Sequence, residues 1–248
     1  MTTIAIQDFL QDLVAHVHAL AILPLAKITS SEEGTSIESM SEDRSVILKA
    51  TTKMPVLGID GTFGMANLNK LDLHLKCPEY KQDALVSIVT STRNDVELPI
   101  GIHFQNAIGD FTNDYRFMNE EIINEKLKTV TFRGVNWDIE IAPTASAIQR
   151  LKFQSAAHSD DTIFQATTKD NNLIIKFGDA STHEGSFVFA PNVTGKLSQM
   201  WAWPVTQVQS ILNLRGDITM KISNQGAMQI SIDSGIAVYD YILPAQTK

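Results

Sequence analysis

The sequence predicts an α+β chain in which one unit, two helices packed on antiparallel sheets, is built twice in tandem. Three observations carry that expectation. Residues Gly216–Ala245 read as three alternating strands, DITMKIS, AMQISID and IAVYDYIL. They are joined by Asn224-Gln225-Gly226 and Ser234-Gly235, which put glycine where a hairpin turn needs positive φ. A helical pattern, Pro204 to Leu212, runs directly into them, and upstream Phe63 to Lys76 followed by strands to Phe117 repeats that order. Between the halves, Met118–Thr129 (MNEEIINEKLKT) is charged and has no glycine or proline to make a turn. It reads as a connector, with a short surface helix as the alternative. The expected domains are therefore 1–117 and 130–248, joined by 118–129.

Taken in order, Ile6, Phe9, Leu10, Leu13, Val17 and Leu20 form one stripe of a first helix, with Asp8, Gln11, Asp12 and Ala15 opposite. After Pro24, strands are expected at Leu25–Thr29, Ser36–Met40 and Ser45–Thr52, separated by SSEEG and SEDR turns. A second helix, about Gly64 to Lys76, buries Leu68, Leu71 and Leu75 and turns Asn67, Lys70 and His74 outward. Strands follow at Ala84–Ser91, Val96–Gln105 and Asp110–Phe117. Past the connector come a strand at Val130–Ile141 and a third helix that Pro143 opens and that runs to about Ala157. In it Ile148 and Leu151 face inward while Arg150 and Gln154 face out. Strands at Thr162–Thr168, Leu173–Asp179 and Ser186–Ala190 precede the fourth helix and the final meander.

Composition bounds the function. The 248 residues suit one large domain or two, and 44% apolar with 19% charged residues describes a chain with an ample core. A net charge of −8 argues against a simple basic nucleic-acid binder, although field depends on where the cations stand rather than on their total. Cys77 is alone, which excludes an internal disulfide and favours a reducing, intracellular home. The start, with Asp8 and Asp12 and no basic n-region, is not expected to be a signal peptide, and no apolar run approaches the ~20 residues of a membrane span.

The stretches GTSIESMSEDRSVILKA (Gly34–Ala50), FGMANLNKLDLHLKCPE (Phe63–Glu79) and VYDYILPA (Val238–Ala245) resemble DNA sliding clamps of the proliferating-cell-nuclear-antigen type. The order and spacing are also similar to the shorter clamps of tailed bacteriophages. The resemblance covers nearly the whole chain, and it rests on order rather than on one motif. It implies two similar clamp domains per subunit and three subunits closed into a ring, with helices lining a central hole and sheets outside. The implied partners are double-stranded DNA held topologically, a DNA polymerase and an ATP-dependent clamp loader. The implied place is soluble and intracellular, the host cytoplasm if the source is viral.

Residue by residue, the expected DNA contacts are Lys70 and Lys76 on the second helix, Arg150, Lys152 and His158 on the third, and Lys196 in a loop. Read singly, each is a solvated surface group. Against a basic lining stand Asp8 and Asp12 on the first helix and the uncharged Gln207 and Ser210 on the fourth, so either loops such as those carrying Lys81 and Lys196 contribute or the ring holds DNA loosely. The resemblance also points to Asp110–Phe117 of one subunit pairing with Ser186–Ala190 of the next, with Phe111 and Tyr115 facing Phe187 and Phe189. Packing within their own sheets is the alternative for each aromatic. It further implies an apolar partner-peptide pocket built from Met40, Ile122, Ile123, Leu127, Tyr241, Ile242, Leu243 and Pro244.

Other chemistry is thin. His16-Val17-His18 places alternate residues on diverging helix faces and no further ligand completes a metal site, so surface histidines are expected and no metal or cofactor. Gly58, Gly61 and Gly64 lack the Lys-Ser/Thr of a phosphate loop and read as turns. Cys77 at a helix end reads as packing, Glu120-Glu121 and Asp160-Asp161 as solvated pairs, and Asn192-Val193-Thr194 as an unused sequon. No catalytic residue is expected. Beside the clamp stand two alternatives: a β-rich virion or assembly protein, which leaves the doubled order unexplained, and a hydrolase whose carboxylates only the fold assembles.

Overall fold

The computed structural model describes residues 3–93, 95–128, 134–179, 181 and 183–246. The chain divides into two compact units, Met1–Thr131 with Ser234–Tyr239, and Phe132–Asp233 with Asp240–Lys248.

The first unit opens with α1 (Ile6–His16), which buries Phe9, Leu10, Leu13 and Val14. A 3-10 turn, His18–Leu20, carries the run to the expected Leu20, which is buried with Val17, and Ala21, with φ of 57°, stops it. Strands β1 (Leu25–Ser31), β2 (Gly34–Met40), β3 (Ile47–Thr52) and β4 (Gly61–Ala66) form an antiparallel sheet in the order β4-β1-β2-β3. Along β1 and β2 every second residue is buried, Ala26, Ile28, Thr35 and Ile37 among them, which is the two-residue period of a half-buried strand. Phe63 and Met65 keep that period, so the expected helix from Gly64 is corrected: Phe63–Ala66 is strand. Asn67, left-handed at φ of 55°, turns the chain into α2 (Leu68–Lys76). A separate three-stranded meander follows, β5 (Leu85–Arg93), β6 (Val96–Gln105) and β7 (Thr112–Arg116).

The expected connector is helical over α3 (Glu120–Lys126), started by Asn119, whose Oδ1 accepts from the Ile122 amide at 2.9 Å. It belongs to the first unit. Ile123 is fully buried against β4, where a Cβ on Gly64 would meet its side chain at 2.8 Å. The glycine is what lets α3 approach that strand.

The second unit repeats the plan. After β8 (Ile139–Ile141) comes α4 (Ala145–Ala157), capped by Thr144 Oγ1 accepting from the Ala147 amide at 3.1 Å. Strands β9 (Ile163–Lys169), β10 (Asn172–Phe177), β11 (Gly185–Ala190) and β12 (Trp201–Pro204) form a sheet in the order β11-β10-β9-β12. That is the first unit's β3-β2-β1-β4 again. Helix α5 (Val205–Leu212) then leads into β13 (Asp217–Ser223), β14 (Ala227–Asp233) and β15 (Ala237–Pro244). Gly226 and Gly235, at φ of 77° and 92°, occupy the two turns the sequence assigns them. Leu151, Phe164, Phe177, Trp203, Val208 and Met220 fill this core, each worth about 1.5–3 kcal/mol by burial.

One further expectation is corrected. The strand expected at Val130–Ile141 pairs with β13 only over Ile139–Ile141, and 129–133 lie outside the described residues. Upstream, the Asp138 amide donates to Ile222 O at 3.0 Å, and Asp138 Oδ2 caps the β13–β14 turn by accepting from the Asn224 amide at 2.6 Å. The short strand β12, which carries Trp201 and Trp203 beside Pro204, has too few residues to show a period in sequence.

The segment 234–239 completes the first unit. The Lys53 amide, just past β3, donates to Ile236 O at 2.9 Å. Asp12, expected on the exposed face of α1, is turned inward with 9% of its side chain exposed. Its Oδ2 accepts from Tyr239 Oη at 2.8 Å and lies 2.9 Å from Ser234 Oγ. The His16 ring is also buried, stacked on Tyr239 at 4.5 Å with Nδ1 2.9 Å from the Asp12 carbonyl. His16 is therefore a packing residue rather than a surface histidine.

Candidate functional site

Two helices carry exposed cations. Helix α4 (ASAIQRLKFQSAA) holds Arg150 and Lys152 and no carboxylate, in a chain whose net charge is −8. Helix α2 (LNKLDLHLK) holds Lys70 and Lys76 against one Asp72. Arg150, Lys70 and Lys76 are exposed, and Lys152 is half-buried. Lys76 Nζ lies 2.6 Å from Asp72 Oδ2 one turn back, which leaves Lys70 as the freer cation of that helix. Burial first, and the Lys70 ammonium second, lower the His74 pKa below its ordinary value. On each helix an apolar side chain stands three residues beyond the cation: Leu73 is 66% and Phe153 72% exposed.

His158 differs from its expected place. It stacks on Phe177 at 5.6 Å, sets Nδ1 3.5 Å from Asp161 Oδ2, and stands where any side chain at Gly185 would go. It is packing rather than a surface cation. Lys196 and Lys81 are exposed in loops. The Lys196 loop is fastened to the β13–β14 turn, with Asn224 Nδ2 donating to the Lys196 carbonyl at 2.8 Å and Asn224 Oδ1 accepting from the Ser198 amide at 2.6 Å. With Asp12 turned inward, Asp8 is the exposed acid of α1, and α5 presents Thr206.

Both expected edges exist. Strand β7 ends the β5-β6-β7 meander and β11 ends the β11-β10-β9-β12 sheet, so each has an open side in the sheet order. Phe111 is 43% and Val188 37% exposed there, and Phe187 is half-buried. Tyr115 and Phe189 are corrected: both are buried in their own units, at 4% and 3%. The Tyr115 hydroxyl donates to Ala66 O, and burial pushes its phenol pKa up. The pleat explains it, because in a strand only alternate residues reach the outer face. Beside Tyr115, Asp114 holds His103 Nδ1 at 2.8 Å, and that hydrogen bond lowers the Asp114 carboxyl.

The expected peptide pocket is brought together in part. Met40 and Leu127 line one shallow cleft of the first unit with Ile47, Leu48, Lys49 and Lys128. Ile123 is spent on fastening α3 to β4, and Ile122 is 44% exposed away from the cleft lining. Tyr241 and Leu243 are fully buried and Ile242 is 5% exposed, inside the second unit, where Trp203 Nε1 donates to Leu243 O at 3.1 Å; Pro244 is exposed. Leu48 and Lys49 are lining residues that the sequence left unmarked, since alternating burial in β3 is shared by β1 and β2.

Among the described residues, no group of three or more His, Cys, Asp or Glu is placed to hold a metal, and no helix is long and apolar enough to cross a membrane.

No protein-family model matches the sequence, and no curated protein matches it either. Solved structures do. The chain is similar to one in the structure of the C-terminal region of FEN-1 bound to A. fulgidus PCNA, at a TM-score of 0.70 and 12% identity, over 98% of this chain and 96% of that one. It is similar to PCNA from Thermococcus kodakaraensis at a TM-score of 0.67 and 12% identity, covering 96% and 97%. Against Proliferating Cellular Nuclear Antigen from Entamoeba histolytica the TM-score is 0.64 at 11% identity, covering 97% and 94%. The chain has the sliding-clamp fold of PCNA, α+β with antiparallel sheets.

Proposed function

We propose that this chain is the subunit of a DNA sliding clamp. Three copies close head to tail around duplex DNA, an ATP-dependent loader places them there, and the ring tethers a replicative polymerase without performing chemistry. The domains of each subunit are 1–117 and 130–248, with 118–129 between them. The observation that carries the reading is the repeat itself. In the first unit the outer strand β3 is covered by chain from 234–239, whereas its counterpart in the repeat, β11, has an open side, as does β7. Open edges at both ends of a repeat form a heterologous interface, which closes into a ring when the rotation allows. Lys70, Lys76, Arg150, Lys152 and Lys196 supply weak, sequence-independent phosphate contacts, sufficient where topology does the holding. The cleft of Met40, Leu48 and Leu127 receives an apolar anchor of a partner peptide, and methionine suits a surface that meets several partners.

The test combines native mass with retention on DNA. Loaded on nicked circular duplex, the protein stays bound through a high-salt wash and is released when the circle is cut by a restriction enzyme. A monomer in native mass spectrometry together with equal retention on circular and linear DNA refutes the reading.

A further inference from the structure

Phosphate contact accounts for Lys70 and Arg150 but not for what stands beside them. Leu73 is 66% exposed in the middle of α2 and Phe153 72% exposed in the middle of α4. An isolated exposed leucine needs no explanation. The same arrangement on two helices of different units, a free cation and then a large apolar residue one turn on, does. Residues three apart on a helix are surface neighbours, about 5–6 Å between Cβ atoms, so cation and apolar side chain address one ligand together. On α4 no carboxylate lies anywhere in the helix, and the exposed neighbours Ser146 and Gln149 are neutral. The face is basic and apolar at once.

Resting on the clamp reading above, we infer that Leu73 and Phe153 are DNA-contacting residues that lie on the deoxyribose edges beside the phosphates held by Lys70 and Arg150. The DNA backbone presents the two chemistries in the same alternation: anionic oxygens, then apolar sugar. Such contact carries no base information and has no preferred direction, so it is compatible with sliding. It also divides the affinity into two parts. The part from cations falls with salt through counterion release, and the part from Leu73 and Phe153 does not.

Salt titration separates the parts. The full-length protein is titrated into a fluorescein-labelled linear duplex, and binding is followed by anisotropy between about 50 and 200 mM NaCl. K70Q/R150Q flattens the plot of log K against log salt by roughly 0.9 for each phosphate no longer neutralised. L73S/F153S lowers the line about tenfold at every salt with its slope unchanged, and L73A/F153A, with better helix formers, does the same. The conservative pair L73M/F153L restores the wild-type line. A line for L73S/F153S that superimposes on wild type, or one whose slope flattens as for K70Q/R150Q, overturns the inference while leaving the clamp reading intact. Wild-type protein with no salt-dependent duplex binding overturns the inference, whereas the clamp reading stands or falls on retention on circular against linear DNA.

Discussion

Replacing Asp12 with alanine strikes the point where the first helix meets the last strand. The carboxylate is 9% exposed and takes Tyr239 Oη at 2.8 Å, Ser234 Oγ at 2.9 Å and His16 Nδ1 at 3.2 Å. Hydrogen bonds to a charged group are worth about 1.5–3 kcal/mol each, and truncation leaves the Tyr239 hydroxyl, in a fully buried residue, without this acceptor. Relief of a buried carboxylate offsets part of the loss, giving a net destabilisation of about 3 kcal/mol. At about 2–4 °C per kcal/mol for a chain of this size, the melting temperature falls by roughly 6–12 °C. Tyr239→Phe, which leaves Asp12 its other partners, costs about 1.5–3 kcal/mol. The double variant costs less than the sum, because both single changes remove the same Asp12–Tyr239 hydrogen bond. Differential scanning calorimetry reads all three, and hydrogen exchange localises the opening to 234–239. An Asp12→Ala melting temperature within about 2 °C of wild type, or strict additivity in the cycle, refutes the account.

Three further outcomes are expected. Leu127→Arg, which puts a charge into the cleft beside Met40 and Leu48, abolishes calorimetric binding of a polymerase C-terminal peptide while leaving the native mass unchanged. Phe111→Asp with Val188→Asp, at the two open edges, yields a folded monomer by native mass spectrometry, since like charges on facing edge strands block pairing. His74 binds its proton less readily folded than unfolded, so its contribution is present above pH 6.5 and is lost as pH falls through that value toward the lowered pKa. His74→Gln therefore makes urea-unfolding stability less steep in pH just below 6.5, and an unchanged slope would count against it.

Much of the architecture is legible in the sequence because it is local. Period-two burial marks the strands, period-3.6 burial marks α1 and α5, and Gly226 and Gly235 announce their turns by needing positive φ. What escapes is whatever a distant segment decides. Asp12 sits on the polar side of its helix by any local measure, and only the arrival of Ser234 and Tyr239 makes that side interior. Phe63–Ala66 looks helical beside α2 until pairing with β1 claims it. The candidate site divides in the same way. The cations Lys70 and Arg150 stand where helix periodicity puts them. Tyr115, Phe189, Tyr241 and Leu243 could not be sorted into core or surface from sequence, because an aromatic or leucine in a strand suits both.

The tie between Asp12 and Tyr239 spans 227 residues, and that separation sets an order of events during synthesis. At about 5–20 residues per second, the first helix leaves the ribosome roughly 10–45 s before its hydrogen-bonding partner exists. Throughout that interval the nascent first unit lacks the Ser234 and Tyr239 partners of Asp12 and the chain that covers the β3 edge. The amino-terminal half is the first to be made and among the last to be finished. A ribosome stalled before Ser234 therefore presents an open sheet edge, and translation of 234–239 is what covers it.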